Sequence, residues 1–255
     1  MRLGAVTPGA VIKGILGLQL GMAGLLFGAD LLNGWQGLSF APAAPRIETP
    51  VRPGDQTRRY RPGDMPTGPA NRPFPAPTDM PERLMFESLE RNGVAVLRAT
   101  GAIAPGDGAR FAKWLDEAGT QPGLVLLNSP GGSVGDALEI GRTLRAAGID
   151  TGLTAGDICL SACPYVLAGG VNRTVDAEAY VGVHQHYFDE NMVQPAFMAV
   201  EDIQRGQGRV MAFLAEMGID PLVMQHALVT PPDEIYILLP EELTLYRIVT
   251  GTKEG

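Results

Sequence analysis

The sequence GLVLLNSPGGSVGDALEIGRTLRAAG at residues 123–148 gives the clearest indication of architecture in this chain. It starts with a fully apolar run, passes through a turn with two adjacent glycines, and continues as an amphipathic segment closed by glycine. The apolar run is typical of a strand buried on both faces, and the amphipathic segment is typical of a helix packed on a sheet. The stretch therefore predicts a strand, a turn and a helix in succession.

Similar segments alternate on both sides of this unit. VAVLRA at residues 94–99 predicts a strand, and GARFAKWLDEAG at residues 108–119 predicts a helix. The series continues with DTGLTAG at 150–156, the residues 164–170, AYVGVHQ at 179–185 and a long helical stretch at 196–217. This order predicts an α/β domain of about 170 residues, in which helices cover a parallel or mixed sheet.

Charge divides the chain into two unlike parts. Residues 1–81 carry eight Lys and Arg against five Asp and Glu, whereas residues 82–255 carry 12 against 23. The C-terminal part is therefore acidic, and an acidic surface repels phosphate backbones. Neither part has the basic cluster that a groove-binding protein needs, so we expect no nucleic-acid partner.

The N-terminal segment, residues 1–40, predicts membrane targeting. No residue from Gly14 to Ala29 is charged, and Arg2 and Lys13 precede this run. Positive charge before an apolar segment keeps the N-terminus in the cytoplasm, so we expect the rest of the chain to be exported. Two interpretations stay open: an uncleaved transmembrane helix that tethers the domain in the periplasm, and a cleaved signal peptide that lets it be secreted.

Residues 41–82 predict a proline-rich linker. Eleven of the 21 prolines lie between residues 41 and 81. Proline at this density favours extended conformations and leaves too few apolar side chains for a core. We therefore expect an N-terminal segment at 1–40, a linker at 41–82 and one α/β domain at 83–255.

The turn NSPGGSV at residues 128–134 is the first candidate site, because it joins a buried strand to a helix N-terminus. Backbone N–H groups at adjacent glycines can face an incoming oxyanion, and the helix N-terminus adds partial positive charge. The same residues also suit a tight turn without a chemical role. These residues alone leave both interpretations open.

A second junction, DICLSACPYVLAGG at residues 157–170, places Ser161 just before a helix, since Pro164 is tolerated in a first helical turn. Ser161 could cap that helix or act as a nucleophile next to a base. Cys159 and Cys163 flank it. In an exported domain they could form a disulfide, Cys163 could itself be a nucleophile, or both could be buried free thiols.

Three histidines could supply the base: His184, His186 and His226. His184 and His186 alternate along one predicted strand and therefore share a face. Such a pair can hold a metal ion, but no third ligand accompanies it at a fixed spacing, so we expect no metal site. His184 is the base that fits Ser161 best.

The order of these segments carries a family resemblance. NSPGGSV, then SAC before a helix ending in LAGG, then a strand ending in VHQ, resembles the Clp-type serine proteases of the Clp and crotonase-like superfamily. The resemblance covers residues 94–249 and implies a spiral of βα units with no cofactor. It implies that Ser161 is the nucleophile and His184 its base. The backbone donors that it implies for the oxyanion hole are Gly131, Gly132 and Ala162.

The resemblance also implies a carboxylate that orients His184. The family places this residue after the long helix, which corresponds here to TPPDEIYILLPEEL. Asp233 and Glu234 both fall in the required region, and we choose Asp233. Its role would be to fix the imidazole tautomer and to stabilise the imidazolium. A turn or capping residue after two prolines is the alternative interpretation of Asp233.

The function implied is an extracytoplasmic, membrane-tethered serine peptidase that cleaves peptides or unfolded proteins. One alternative keeps the fold without catalysis, as a binding or assembly module of the cell envelope. Another is a crotonase-like acyl-thioester enzyme, whose nucleotide-bearing cofactor would be cytoplasmic. Clp-type domains form rings, so a homo-oligomer is a possible assembly. No ATPase partner is implied, because an energy-dependent unfoldase would lie across the membrane.

Overall fold

The computed structural model describes residues 8–35, 53–54, 56–60, 80–91, 93–186 and 196–250. The chain divides into two units, Met1–Ala44 and Pro45–Gly255. In the first unit, helix α1 (Pro8–Trp35) lies within the expected targeting segment. Among helices in the described part of the chain, none combines the length and the apolar character needed to span a membrane.

The second unit contains both of the sheets that the structure describes. Its strands are β1 (Thr57–Arg59), β2 (Met85–Arg91), β3 (Val94–Thr100), β4 (Leu124–Asn128), β5 (Asp150–Leu153), β6 (Ile158–Leu160), β7 (Arg173–Val175), β8 (Tyr180–Val183) and β9 (Glu234–Ile237). Its helices are α2 (Asp107–Glu117), α3 (Val134–Ala147), α4 (Cys163–Ala168), α5 (Ala196–Glu216), α6 (Met224–Val229) and α7 (Pro240–Leu245), with a 3₁₀ turn at Pro221–Val223. The expected mixed α/β class is confirmed.

The larger sheet has the strand order β2-β3-β4-β5-β7. Strands β3, β4, β5 and β7 run parallel, as the alternation of strands and helices predicts, whereas β2 pairs antiparallel with β3. Strand β2 was not predicted, because MFESLER is an edge strand with mostly exposed side chains rather than a buried apolar run.

The smaller sheet has the order β1-β9-β8-β6. Strands β6 and β8 are parallel, and β9 lies antiparallel to both β8 and β1. Strand β1 falls inside the region expected to be only a linker. The short run from Gln56 to Arg61 contains neither proline nor glycine, so the backbone there is free to join a sheet.

The two sheets come together where Ser129, directly after β4, lies beside β6. The Ser129 N–H donates to the Ile158 oxygen at 2.8 Å, and the Leu160 N–H donates to the Ser129 oxygen at 3.0 Å. A buried ion pair between Arg98 of β3 and Asp157, 2.6 Å apart, links the sheets nearby. The glycine turn after β4 is thereby placed beside the residues that follow β6.

The LAGG segment allows two helices to pack closely. A methyl group at Gly169 would lie 2.3 Å from the Gly141 oxygen of α3, which is too close for any side chain. A methyl group at Gly141 would in turn lie 2.7 Å from the buried ring of Phe213 in α5. Helices α3, α4 and α5 therefore pack into one apolar core around these small residues.

Candidate active site

Ser161 stands in a strained turn between β6 and α4. Its φ angle is 59°, in the left-handed region that serine rarely adopts. The Ser161 N–H donates to the Gly182 oxygen of β8 at 2.9 Å, which anchors the turn to the neighbouring strand. Hydrolase nucleophiles in other folds occupy comparable strained turns between a strand and a helix. This turn leaves the Ser161 side chain half-buried.

A disulfide encloses the Ser161 turn. It joins Cys159 at the centre of β6 to Cys163, the first residue of α4, and both cysteines are fully buried. The bond closes a short loop with Ser161 at its middle and so restricts the conformations open to that residue. Because its sulfur is bonded, Cys163 is not a free thiol that could serve as nucleophile.

His184 follows β8 and lies against Ser161. Its Nε2 is 2.8 Å from the Ser161 Oγ, and its Nδ1 is 3.0 Å from the Pro232 oxygen. A carbonyl oxygen only accepts hydrogen bonds, so Nδ1 carries the proton of the neutral ring. Nε2 therefore accepts the hydrogen bond from the Ser161 hydroxyl, which is the arrangement that a general base requires.

The surroundings of His184 keep the ring neutral. Burial lowers the pKa of His184 below its ordinary value of 6.5, and the hydrogen bond to the Pro232 carbonyl opposes this effect only in part. The next residue, Gln185, is fixed by its N–H to the Thr230 oxygen at 3.0 Å. Near pH 7 the base is therefore deprotonated and held in place.

Asp233 does not occupy the position that we expected for it. Its side chain is exposed, and its main-chain oxygen accepts from the Tyr60 N–H at 2.8 Å. Glu234, the alternative carboxylate, accepts a hydrogen bond from the Thr57 hydroxyl. The turn after two prolines directs a main-chain carbonyl, that of Pro232, toward His184. The described geometry therefore gives a hydrogen-bonded Ser161–His184 dyad with a carbonyl partner, and it does not bring the Asp233 carboxylate to the ring.

The glycine turn packs directly on Ser161. Gly131 has a φ of 99°, and a methyl group there would lie 2.5 Å from the Ser161 Cβ and 2.9 Å from the Ala162 nitrogen. Gly132 has a φ of 138°, and a methyl group there would lie 2.2 Å from the Ile103 oxygen. Both positions therefore need glycine for backbone angle and for space.

The three expected oxyanion donors are close together but differ in their partners. The Gly131 N–H donates to the Ser129 hydroxyl at 3.2 Å, so it is already used within the turn. The N–H groups of Gly132 and Ala162 make no hydrogen bond to any residue that the structure describes. These two groups are the donors that an oxyanion beside Ser161 could meet.

Tyr60 also belongs to the site, although the sequence analysis did not single it out. Its ring centroid lies 4.6 Å from that of His184, and its hydroxyl donates to the Pro130 oxygen. Burial raises the pKa of Tyr60, and a hydrogen bond with the Ser161 side chain opposes that shift. The one available signal was that Tyr60 is the single tyrosine of the expected linker.

The other two histidines have structural partners. His186 Nε2 lies 2.7 Å from the Tyr165 hydroxyl, and burial together with the charge of His184 lowers the pKa of His186 to about 4. His226 is buried, with Nε2 3.0 Å from the Tyr246 hydroxyl. Within the described ranges, no three His, Cys, Asp or Glu side chains converge as metal ligands would.

A serine hydroxyl, a neutral imidazole and the backbone N–H of Ala162 lie together at this turn, and acyl-transfer chemistry uses groups of these kinds. The chain matches no model of a known protein family and none of the curated proteins with which it was compared.

Proposed function

We propose that this chain is a serine peptidase that hydrolyses peptides or unfolded proteins through Ser161 and His184. The hydrogen bond of 2.8 Å between Ser161 Oγ and His184 Nε2 carries this proposal. The Pro232 carbonyl supports it, because it sets the tautomer in which Nε2 is free to accept a proton. The free N–H groups of Gly132 and Ala162 supply the remaining element of acyl-transfer chemistry.

In the first half of the reaction, His184 Nε2 takes the proton of Ser161 as the Oγ attacks a peptide carbonyl carbon. The carbonyl oxygen becomes an oxyanion beside the N–H groups of Gly132 and Ala162. The imidazolium then gives its proton to the departing amine, leaving an acyl group on Ser161. A water molecule, deprotonated by His184, releases the acyl group and restores the hydroxyl.

The Pro232 carbonyl stabilises the imidazolium through its dipole and not through a full charge. A carboxylate at that position would favour the charged ring more strongly, because opposite charges attract more than a charge and a dipole. We therefore infer slower chemistry than that of a complete triad.

We further infer that the domain is a spiral of βα units like the Clp-type proteases, located outside the cytoplasm. The Cys159–Cys163 disulfide supports this location, since such bonds persist mainly in oxidising compartments. The apolar run in residues 14–29 supports a membrane tether or an export signal, and the Clp-type resemblance supports a homo-oligomer. No cofactor, nucleic acid or ATPase partner takes part in the proposed activity.

A binding module without turnover is the second candidate function. Two observations favour it: His184 has no carboxylate partner, and the Tyr60 phenol lies in front of the dyad. Such a module would use the same cleft to hold an extended peptide without cutting it.

A measurement of peptide release distinguishes the peptidase from the binding module. The full chain in its oxidised form is incubated with fluorescein-labelled casein, and peptide release is measured for wild type, Ser161→Ala and Ser88→Ala. Ser88 is an exposed serine of β2 and serves as the matched control. A peptidase releases peptides with wild type and Ser88→Ala but not with Ser161→Ala. Equal release by Ser161→Ala and wild type would refute the proposal.

A further inference from the structure

We propose that the edge of β9 beside the dyad binds an extended peptide as an antiparallel strand, and that residues 56–60 of this chain occupy that edge as an internal competitor. The inference rests on the proposed function and defines its substrate class. The substrate is an extended polypeptide segment that places a large side chain near His184. Residues 56–60 must leave before such a segment can reach Ser161.

The backbone of residues 56–60 already binds as a peptide would. Thr57 pairs with Tyr236 and Arg59 with Glu234 in an antiparallel ladder, and the Tyr60 N–H donates to the Asp233 oxygen. Strand addition of this kind obtains its affinity from main-chain hydrogen bonds, which any extended sequence can supply. The β9 edge is therefore suited to polypeptides in general.

Side-chain contacts of unequal quality hold the segment: the Thr57 hydroxyl donates to Glu234, and the Tyr60 ring packs on His184. Gln56 donates from Nε2 to the Ile237 oxygen at 2.8 Å, and the Arg58 guanidinium lies 5.7 Å from the Tyr180 ring centre. The Gln56 Oε1 is buried with no hydrogen-bond partner among the described residues, which weakens the docking. A three-residue strand with such an imperfect contact is a segment that a longer peptide can displace.

Tyr60 fills the space that a reacting carbonyl needs. Its ring lies on His184, and its hydroxyl reaches the oxygen of Pro130, the residue directly before the glycine turn. A substrate carbonyl must approach both the Ser161 Oγ and the N–H groups next to that turn. The phenol and the substrate therefore compete for one space.

Orientation of His184 does not depend on Tyr60, because the Pro232 carbonyl already fixes the ring. The phenol shields the imidazole from solvent: with Tyr60 in place, His184 is only 5% exposed. The structure therefore corresponds to a resting form in which the base is shielded. Removing Tyr60 should open the site; it takes away the hydrogen bond with the Ser161 side chain but leaves the bond between Ser161 and His184 in place.

The rate at which a fluorophosphonate labels Ser161 tests this inference in the full chain. Tyr60→Ala should be labelled roughly five- to thirty-fold faster than wild type, the effect of removing one or two moderate contacts. Tyr60→Phe, which keeps the ring but loses the bond to Pro130, should lie between them. The exposed Arg91→Ala control should stay within about two-fold of wild type. When wild type is measurably labelled, a rate for Tyr60→Ala equal to or below that of wild type would overturn the inference.

Competition by the free segment gives a second result. A synthetic peptide with the sequence of residues 53–60 should slow the labelling of Tyr60→Ala, because it can occupy the vacated edge. The same peptide with alanine in place of Tyr60 serves as the control, because it lacks the ring that covers His184. Equal labelling with and without the 53–60 peptide would count against the β9 edge as its site.

Trypsin cleavage after Arg59 reports on residues 56–60 independently of any peptidase activity of this chain. In the Ser161→Ala background, Tyr60→Ala should raise the cleavage rate of this bond relative to the same bond in urea-unfolded chain. An unchanged relative cleavage rate would overturn the proposal that residues 56–60 are an internal competitor. If cleavage rises while no variant is labelled, the competitor stands and the peptidase proposal fails, so the two failures are distinguishable.

Discussion

His184 donates from Nδ1 to the main-chain oxygen of Pro232 across 3.0 Å, while its Nε2 faces the Ser161 hydroxyl. The carbonyl selects the catalytic tautomer as a carboxylate would, but it brings no charge. It also cannot be removed by changing a side chain. The effects of substitutions around His184 therefore differ from those in a complete triad.

Asp233→Asn should leave the labelling rate of Ser161 within about two-fold of wild type, because the Asp233 side chain is exposed and its backbone is unchanged. The measurement is the fluorophosphonate labelling rate at a pH of about 7.5, where the imidazole of His184 is neutral and can act as a base. His184→Gln serves as the positive control and should abolish labelling. A loss of about a hundred-fold or more in Asp233→Asn would restore the triad and contradict the dyad.

Gly131→Ala should lower peptidase turnover by roughly 10²–10³-fold, because the displaced turn carries the Gly132 N–H away from Ser161 and an oxyanion contact is lost. The added methyl group would lie 2.5 Å from the Ser161 Cβ, so the turn and the nucleophile must move apart. Gly135→Ala is the matched control, since a methyl group there meets nothing within 4 Å. Thermal unfolding of both variants separates a local effect from misfolding. Equal turnover of the two variants would mean that the turn does not border the reacting atoms.

Removing the disulfide should destabilise the domain and slow labelling together. The double variant Cys159→Ala/Cys163→Ala should lose about 2 kcal/mol of free energy of unfolding, as expected for a very short closed loop. Its Ser161 should also be labelled more slowly, because the strained turn loses its closure. Urea unfolding and labelling measure the two effects. A reducing agent should reproduce both in wild type and change neither in the double variant.

The pH dependence of labelling should show a single rise on the acid side. Only neutral His184 accepts the Ser161 proton, and burial lowers the pKa of His184 below 6.5. The labelling rate should therefore increase with pH and reach half of its plateau below pH 6.5. A midpoint above pH 6.5 would indicate a carboxylate close to the ring, which the described geometry does not provide.

Part of this site was predictable from residue types. Glycine pairs after a buried strand, a serine before a proline-started helix and a histidine at the end of a strand all leave local patterns in the sequence, and Ser161 and His184 do lie within hydrogen-bonding distance. Pro232 could not be found in this way, because every residue has a main-chain carbonyl. Tyr60 was missed because the pairing of β1 with β9 joins positions far apart in the chain.

The fold, too, was predictable from local sequence only in part. The parallel strands of the larger sheet follow from apolar runs and helix periods, which are local properties. The separation of β6, β8 and β9 into a second sheet depends on which strand ends pair in space. The bridge between Ser129 and Cys159 that joins the two sheets has no sequence signature of its own.

Acid should destabilise the fold through its histidines. The pKa of His186 is lowered to about 4, so between pH 6.5 and 4 the unfolded chain binds a proton that the folded chain does not. The free energy of unfolding should therefore fall as the pH is lowered through this range. His186→Gln should show a shallower decline in urea unfolding at pH 6.5, 5.5 and 4.5. An identical decline in both proteins would rule out His186 as a source of the effect.

Mass spectrometry of the fluorophosphonate-treated full chain tests the central claim most directly. If Ser161 is the nucleophile, we expect one phosphonyl group on the wild-type chain, mapped by peptide sequencing to Ser161, and none on Ser161→Ala. His184→Ala should be labelled about 10²–10⁴-fold more slowly, the usual contribution of a general base. A phosphonyl group on another residue, or equal labelling of wild type and His184→Ala, would contradict the account.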